Sequence, residues 1–200
     1  MRLRAIAPAF AVLVGVALPP APARAADDAA GFISDLGTRA ISVLTSAKSQ
    51  AERESQFQAI FDQGFDVPGI ARFVLGPYWR TATDAQREQF PKLFEAYIVH
   101  VYAVRFGGYS GEQLKVTGSR PDGDNATLVT SQIIADSNRP PIKADWRVAK
   151  TGRGFEVIDV MIEGVSMAVV EREEFSSVIQ RGGGQLEALL KELRERSGQS

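Results

Sequence analysis

The chain has no cysteine and a single histidine, His100, among its 200 residues. Without cysteine there is no disulfide, no thiol nucleophile and no zinc-thiolate site, even in an oxidising compartment. One histidine leaves little material for a histidine-based catalytic or metal centre. No basic cluster interrupts the mild acidity, so the concentrated Lys/Arg surface that nucleic-acid phosphates demand is missing. No Gly-x-x-x-x-Gly-Lys loop occurs, and no linker or repeat divides the chain.

The N-terminus carries Arg2 and Arg4, an apolar run from Ala5 to Leu18, prolines, and the small-residue site Ala23-Arg24-Ala25. That order reads as a secretory signal peptide over residues 1–25, too short and wrongly flanked for a membrane anchor. Cleavage after Ala25 would remove three arginines and move the formal charge from −1 to −4. Residues 26–200 are then one domain, exported to the periplasm and long enough for a substantial core.

Helical periodicity dominates the first half. Ile33, Leu36, Ala40, Ile41 and Leu44 mark an amphipathic helix from Asp27 to about Ser46, and Phe57, Ile60 and Phe61 mark a second from about Ala51 to Gln63. Asp66 caps a third that Gly76-Pro77 stops. Thr83 to Gln86 forms a capping box ahead of the stripe Phe90, Leu93, Phe94, Tyr97, Ile98, Val101 and Tyr102.

After Gly107-Gly108 the period falls to two. Strands are expected around Leu114–Gly118, Ala126–Ile134, Ile142–Ala149 and Phe155–Ile162, joined by Asp122 to Asn125, Asn138 to Pro141 and Thr151 to Gly154. Such short connections permit only an antiparallel meander. Two helices, roughly 168–180 and 185–196, close the chain around Gly182 to Gly184. The expected fold class is α+β, a curved four-stranded antiparallel sheet packed against a helical layer.

Gly164-Val165-Ser166-Met167-Ala168, between a strand and a helix, has the setting of a hydrolase nucleophile elbow. That chemistry requires a histidine after the serine, and none follows. The simpler reading makes Ser166 the N-cap of the next helix. Asp159 and Glu163, four apart on a strand, are about 13 Å apart, too far for a glycosidase pair. Asp122, Asp124 and Asn125 lack the glutamate of a calcium loop and read as a solvated turn. Neither an enzyme nor a metal site is expected.

With Phe65-Asp66, 75-LGPYWRTAT-83 followed by Gln86, Phe90, Phe94 and Tyr97, and Asp159-Val160 with 163-EGVS-166, Arg172 and Phe175, the chain resembles the MlaC, or toluene-tolerance auxiliary, family of periplasmic phospholipid carriers. It departs from the family pattern at Met167, in lacking a tyrosine between Ala168 and Glu171, and in its Gly182 to Gly184 run. The resemblance implies an apolar lipid cavity and phospholipid as cargo, with no cofactor. It also implies as partners the lipid-binding subunit of an inner-membrane Mla-type ABC transporter and an outer-membrane lipoprotein–porin complex. A hopanoid-associated carrier and a non-transporting periplasmic adaptor with a filled core remain as alternatives.

A diacyl lipid exposes on the order of 30 methylenes, so leaving a bilayer bare would cost roughly 25 kcal/mol. Both chains must therefore be enclosed. The expected lining is Phe94, Tyr97, Val101 and Tyr102 from the long helix and Trp146, Val148, Ile158, Val160 and Ile162 from the sheet. Phe73, Leu75 and Trp79 are expected to form a wall or mouth, and Arg80 and Arg172 are candidates to approach the phosphate.

Overall fold

The computed structural model describes residues 21–105, 111–135 and 139–198, with the side chains of 21–24 excepted. Helices come first: α1 (Ala21–Ser46), α2 (Gln50–Gly64), α3 (Val67–Leu75), the single turn α4 (Tyr78–Thr81) and α5 (Asp84–Arg105). Strands β1 (Gln113–Asp122), β2 (Ala126–Ile134), β3 (Ile142–Thr151), β4 (Gly154–Ile162) and the two-residue β5 (Val165–Ser166) follow, then α6 (Met167–Arg181) and α7 (Leu186–Arg196). The sheet is an antiparallel meander in the order β1-β2-β3-β4-β5. The fold class is α+β as expected, with β5 a fifth strand added to the expected four.

Local signals account for most boundaries. Asp66 accepts from the Gly69 amide at 3.0 Å, with Pro68 in the first turn of α3, and the helix ends at Gly76, whose φ of 57° suits glycine. Thr83 and Gln86 bond reciprocally, each side chain accepting the other's amide at 3.2 and 3.1 Å, ahead of α5. The unexpected α4 takes up the stretch after Gly76-Pro77. Most of the expected leader lies outside the described residues, as do Gly107, Gly108 and Asn138. The described part of α1 runs from Ala21, and its packing on the sheet core starts with Ala29, which is fully buried.

Two hydrophobic cores form. The helical core joins α3, α5, α6 and α7 around Phe90, Phe94, Phe175, Leu189 and Leu190. Phe175 meets Phe90, Phe94 and Tyr97 edge-on, with ring centroids 6.0–6.1 Å apart. The sheet core packs Ala29, Ile33 and Leu36 of α1 against Val129, Val148 and Val157. Close approach of α1 to β1 requires Gly37, where a Cβ would meet Leu114 Cδ2 at 2.4 Å.

Register decides which strand residues join the sheet core. A bulge between Arg147 and Val148 opposes Val148 to Val157 while Trp146 opposes Val160. One residue too many therefore lies between Val157 and Val160, and these two share the helix-facing side with Trp146 and Val148. Val148 is 1% exposed. Val148→Trp is expected to overpack this core and destabilise the domain by about 1–3 kcal/mol in chemical denaturation. Unchanged stability would show that free space adjoins Val148.

Candidate functional site: an apolar cavity between two cores

Between the helical core and the sheet core lies a half-open cavity. About 280 Å³ of it can be reached by the centre of a water molecule, and its unfilled space, mouth included, is about 1290 Å³. Helix α1 contributes Leu36, Gly37 and Ala40, α2 contributes Phe57, Ile60 and Phe61, and α3 contributes Ile70 and Val74. Phe65 lines the joint between α2 and α3. Phe94, Ile98, Val99 and Tyr102 project from α5, and Ile133, Trp146, Ile158, Val160 and Ile162 from the sheet. Met167, Ala168 and Glu171 of α6 close the wall, with Asp159 of β4 beside them.

Six of the twelve expected lining residues are there: Phe94, Tyr102, Trp146, Ile158, Val160 and Ile162. The other six are not. Tyr97 is buried in the helical core between Phe175 and the guanidinium of Arg196, which lies 6.0 Å from its ring. Leu75 is core, and Val101 and Trp79 pack against that core from half-buried positions. Val148 belongs to the sheet core under α1. Phe73 is 43% exposed on the surface, with Arg172 5.3 Å over its ring. Arg80 is exposed, and neither it nor Arg172 lines the cavity.

The α1 and α2 wall went unrecognised as lining. Leu36, Gly37 and Ala40, like Phe57, Ile60 and Phe61, have the i, i+3, i+4 spacing of one helix face. That spacing marks a buried face without saying whether a neighbour or a void covers it.

Polar groups at the wall are mostly spent on structure. The Trp146 indole donates to Ser131 Oγ at 2.9 Å, and that hydroxyl donates to the Ala144 carbonyl at 2.9 Å. Asp159 accepts the Ser166 hydroxyl at 2.6 Å and the Ala168 amide at 3.2 Å, while Ser166 Oγ accepts from the Val169 amide at 3.2 Å. Ser166 is thus the N-cap of α6. His100 Nδ1 lies instead 3.0 Å from Glu54 Oε1, across the α2–α5 seam. Ser166 has an acid beside it and no histidine, so the arrangement lacks the base that a serine nucleophile needs. Among the described residues, no group of three His, Cys, Asp or Glu side chains could hold a metal ion.

Two carboxyls resist ionisation, Glu95 on the α2–α5 seam and Glu171 in the cavity wall. Glu95 of α5, which takes a hydrogen bond from Gln58 of α2 at 3.0 Å, is pushed from 4.5 to about 7 by burial first and then by its contact with Asp62. Glu171 is pushed to about 7 by burial and by the charge of Glu174, against the pull of Arg105 and Arg196.

For Glu95 the folded value lies above the unfolded one, so its favourable contribution is full below about pH 4.5 and is lost as pH rises through about 7. The shift corresponds to about 3 kcal/mol at most. Solvent screening at this partly exposed seam reduces that to about 1 kcal/mol. Glu95→Gln should therefore raise the melting temperature by ~2–4 °C above pH 7 and flatten its decline between about pH 5 and 8. A parallel pH profile in variant and wild type would refute the shift. Separately, Ser166→Ala should cost about 1 kcal/mol through the lost cap and leave hydrolysis of acyl esters at background in both proteins. Wild-type esterase turnover abolished by that change would make Ser166 a nucleophile.

The MlaC protein family profile matches residues 35–195. The chain is 26% identical over 129 residues to the intermembrane phospholipid transport system binding protein MlaC of Haemophilus influenzae, covering 63% of this chain and 59% of that protein. It is 21% identical over 123 residues to the toluene tolerance protein ttg2D of Pseudomonas putida, covering 61% and 57%. The chain thus spans less than two thirds of these relatives. Its fold is that of a phospholipid-binding protein from Ralstonia solanacearum, solved with a phospholipid, at a TM-score of 0.72 and 21% identity over 86% of this chain and 97% of that one. With the family profile covering most of its length, the chain belongs to the MlaC family.

Proposed function

We propose that the cavity encloses the acyl chains of a phospholipid and that the protein carries this lipid across the periplasm. The observation that carries the reading is an almost wholly apolar, half-open cavity between two separately packed cores. A methylene takes up about as much space as a water molecule, ~30 Å³, so two chains need roughly 900 Å³. The unfilled space of about 1290 Å³, which counts open solvent at the mouth, is of that order. Acyl chains would fill the cavity to its opening and leave the charged headgroup in water, where it keeps its hydration.

The names of the relatives support the cargo. The Haemophilus protein is called a binding protein of an intermembrane phospholipid transport system, and the Ralstonia structure holds a phospholipid. An adaptor with a filled core would have no use for this space. The expected leader supplies export. An inner-membrane Mla-type transporter subunit and an outer-membrane lipoprotein–porin complex are the expected exchange partners. The chain has no nucleotide-binding loop to drive release. A partner that offers the chains a second apolar surface would therefore set the rate.

Organic extraction and mass spectrometry of protein purified without detergent should recover phospholipid at close to one lipid per chain. Ala40→Trp and Ile162→Trp, which place bulk in the lining, should lower that recovery several-fold while the protein remains folded, because open space accepts volume that a packed core refuses. Lipid-free wild-type protein of full stability would overturn the carrier reading.

A further inference from the structure

Glu171 is out of keeping with its surroundings. It lies one turn along α6 from Met167 and Ala168, on the same helix face, and all three line the cavity. Its Oε2 is buried and has no hydrogen-bond partner among the described residues. Asp159, the other acid in the lining, spends both oxygens on Ser166 and the Ala168 amide. A buried acceptor or acid left without a partner is costly, so a chain that keeps one at the wall of a ligand cavity gains only when the ligand supplies that partner.

We propose that Glu171 is a lipid-recognition residue, donating a hydrogen bond from its carboxyl to an ester carbonyl oxygen at the head of an acyl chain. This rests on the reading of the cavity as an acyl-chain site. The first polar atoms above the methylenes of a diacyl phospholipid are ester oxygens, which only accept, so the protein must donate. A carboxyl donates only while protonated.

The charged and titratable groups around Glu171 permit that near neutrality. Glu174 on its own helix repels its charge, while Arg105 of α5 and Arg196 of α7 attract it. Tyr97 and Tyr102 of α5 are themselves raised, first by burial and then by the Glu171 charge. Asp159 faces the same cavity from β4. Burial prevails, and Glu171 titrates at about 7. Acyl chains entering the cavity would withdraw it further from water, so lipid loading takes up a proton.

The test compares two zwitterionic lipids with the same phosphocholine headgroup and chain length, one ester-linked and one ether-linked, since neither headgroup titrates in the range used. Binding is measured by transfer from vesicles of each lipid at about pH 6 and about pH 8.5, on either side of the Glu171 transition. Wild type should prefer the ester lipid by about three- to tenfold at the lower pH and lose most of that preference at the higher. Glu171→Gln, whose amide donates at any pH, should keep the preference at both. Glu171→Leu should abolish it at both, with circular dichroism checking the fold. Equal binding of the two lipids by wild type at both pH values overturns the proposal and leaves the carrier reading intact. No transfer of either lipid at any pH overturns the carrier reading itself. Should Glu171→Leu fail to fold, the wild-type comparison and Glu171→Gln still decide.

Discussion

The structure depends on a joint at Phe65 and Asp66 that holds two cores apart. Phe65 ends α2 and forms a parallel bridge to Val157, and the Asp66 amide donates to the Val157 carbonyl at 3.0 Å while its side chain starts α3. From the other side Arg153, ion-paired to Glu156, reaches the carbonyls of Asp62 and Phe65 at 3.5 and 3.3 Å. Three residues of backbone thus tie the α2–α3 corner to the β3–β4 hairpin. The same contacts cover one stretch of the β4 edge, and β5 pairs with Met161 and Ile162 at the other end, so the last long strand does not present a free edge there. Because Phe65 packs into both cores, it fixes their separation, and the cavity is the space between.

That geometry explains which features were legible in the sequence. Element type was, since the capping signals at Asp66, Thr83 and Ser166 each specify a backbone amide to satisfy, and the alternation of Ile142, Ala144, Trp146 and Val148 with Lys143, Asp145 and Arg147 has a period of two and not of a helix. The faces were less so. Along β4, strict alternation pairs Ile158 with Val160 and Ile162, whereas the bulge places Val157 on the side of Val160. A bulge adds a residue without any composition of its own, and β4 carries apolar residues on both faces, so its pattern could not betray the slip. The aromatic stripe of α5 failed differently. It is wide enough to serve two surfaces: Phe90 and Tyr97 meet Phe175, while Ile98 and Tyr102 turn toward the cavity. Apolar periodicity reports burial and is silent on whether the covering atoms belong to protein or to something else.

An open apolar space inside a protein is expensive. Where water enters, the apolar wall forgoes the burial that the two cores enjoy, and where it does not, the wall atoms lack packing partners. A chain can bear such a cost in two ways: by packing everything else well, or by filling the space with an apolar ligand whose binding returns the deficit. Both are visible. The helical core shares Ile70, Val74, Phe94 and Ala168 with the cavity wall, but Phe90, Phe175, Leu189, Leu190 and Leu193 are fully buried and do not line it, so they stay packed whether the cavity is open or filled. The lining, in contrast, includes half-buried residues on α1, α2 and β4 whose further burial only a ligand would complete.

The same argument orders the polar groups. Where a wall residue must be polar for the fold, as Asp159 is for the start of α6, both of its oxygens are already engaged internally. Where the capacity is left over, as at Glu171 Oε2, the cost is tolerable only if it is relieved in the state the protein was selected to occupy. A neutral acid costs less to bury than a carboxylate, which is why the surroundings that make this space apolar also move Glu171 to about 7. Apolar volume and proton affinity are therefore not separate properties of this cavity, because the same exclusion of water produces both.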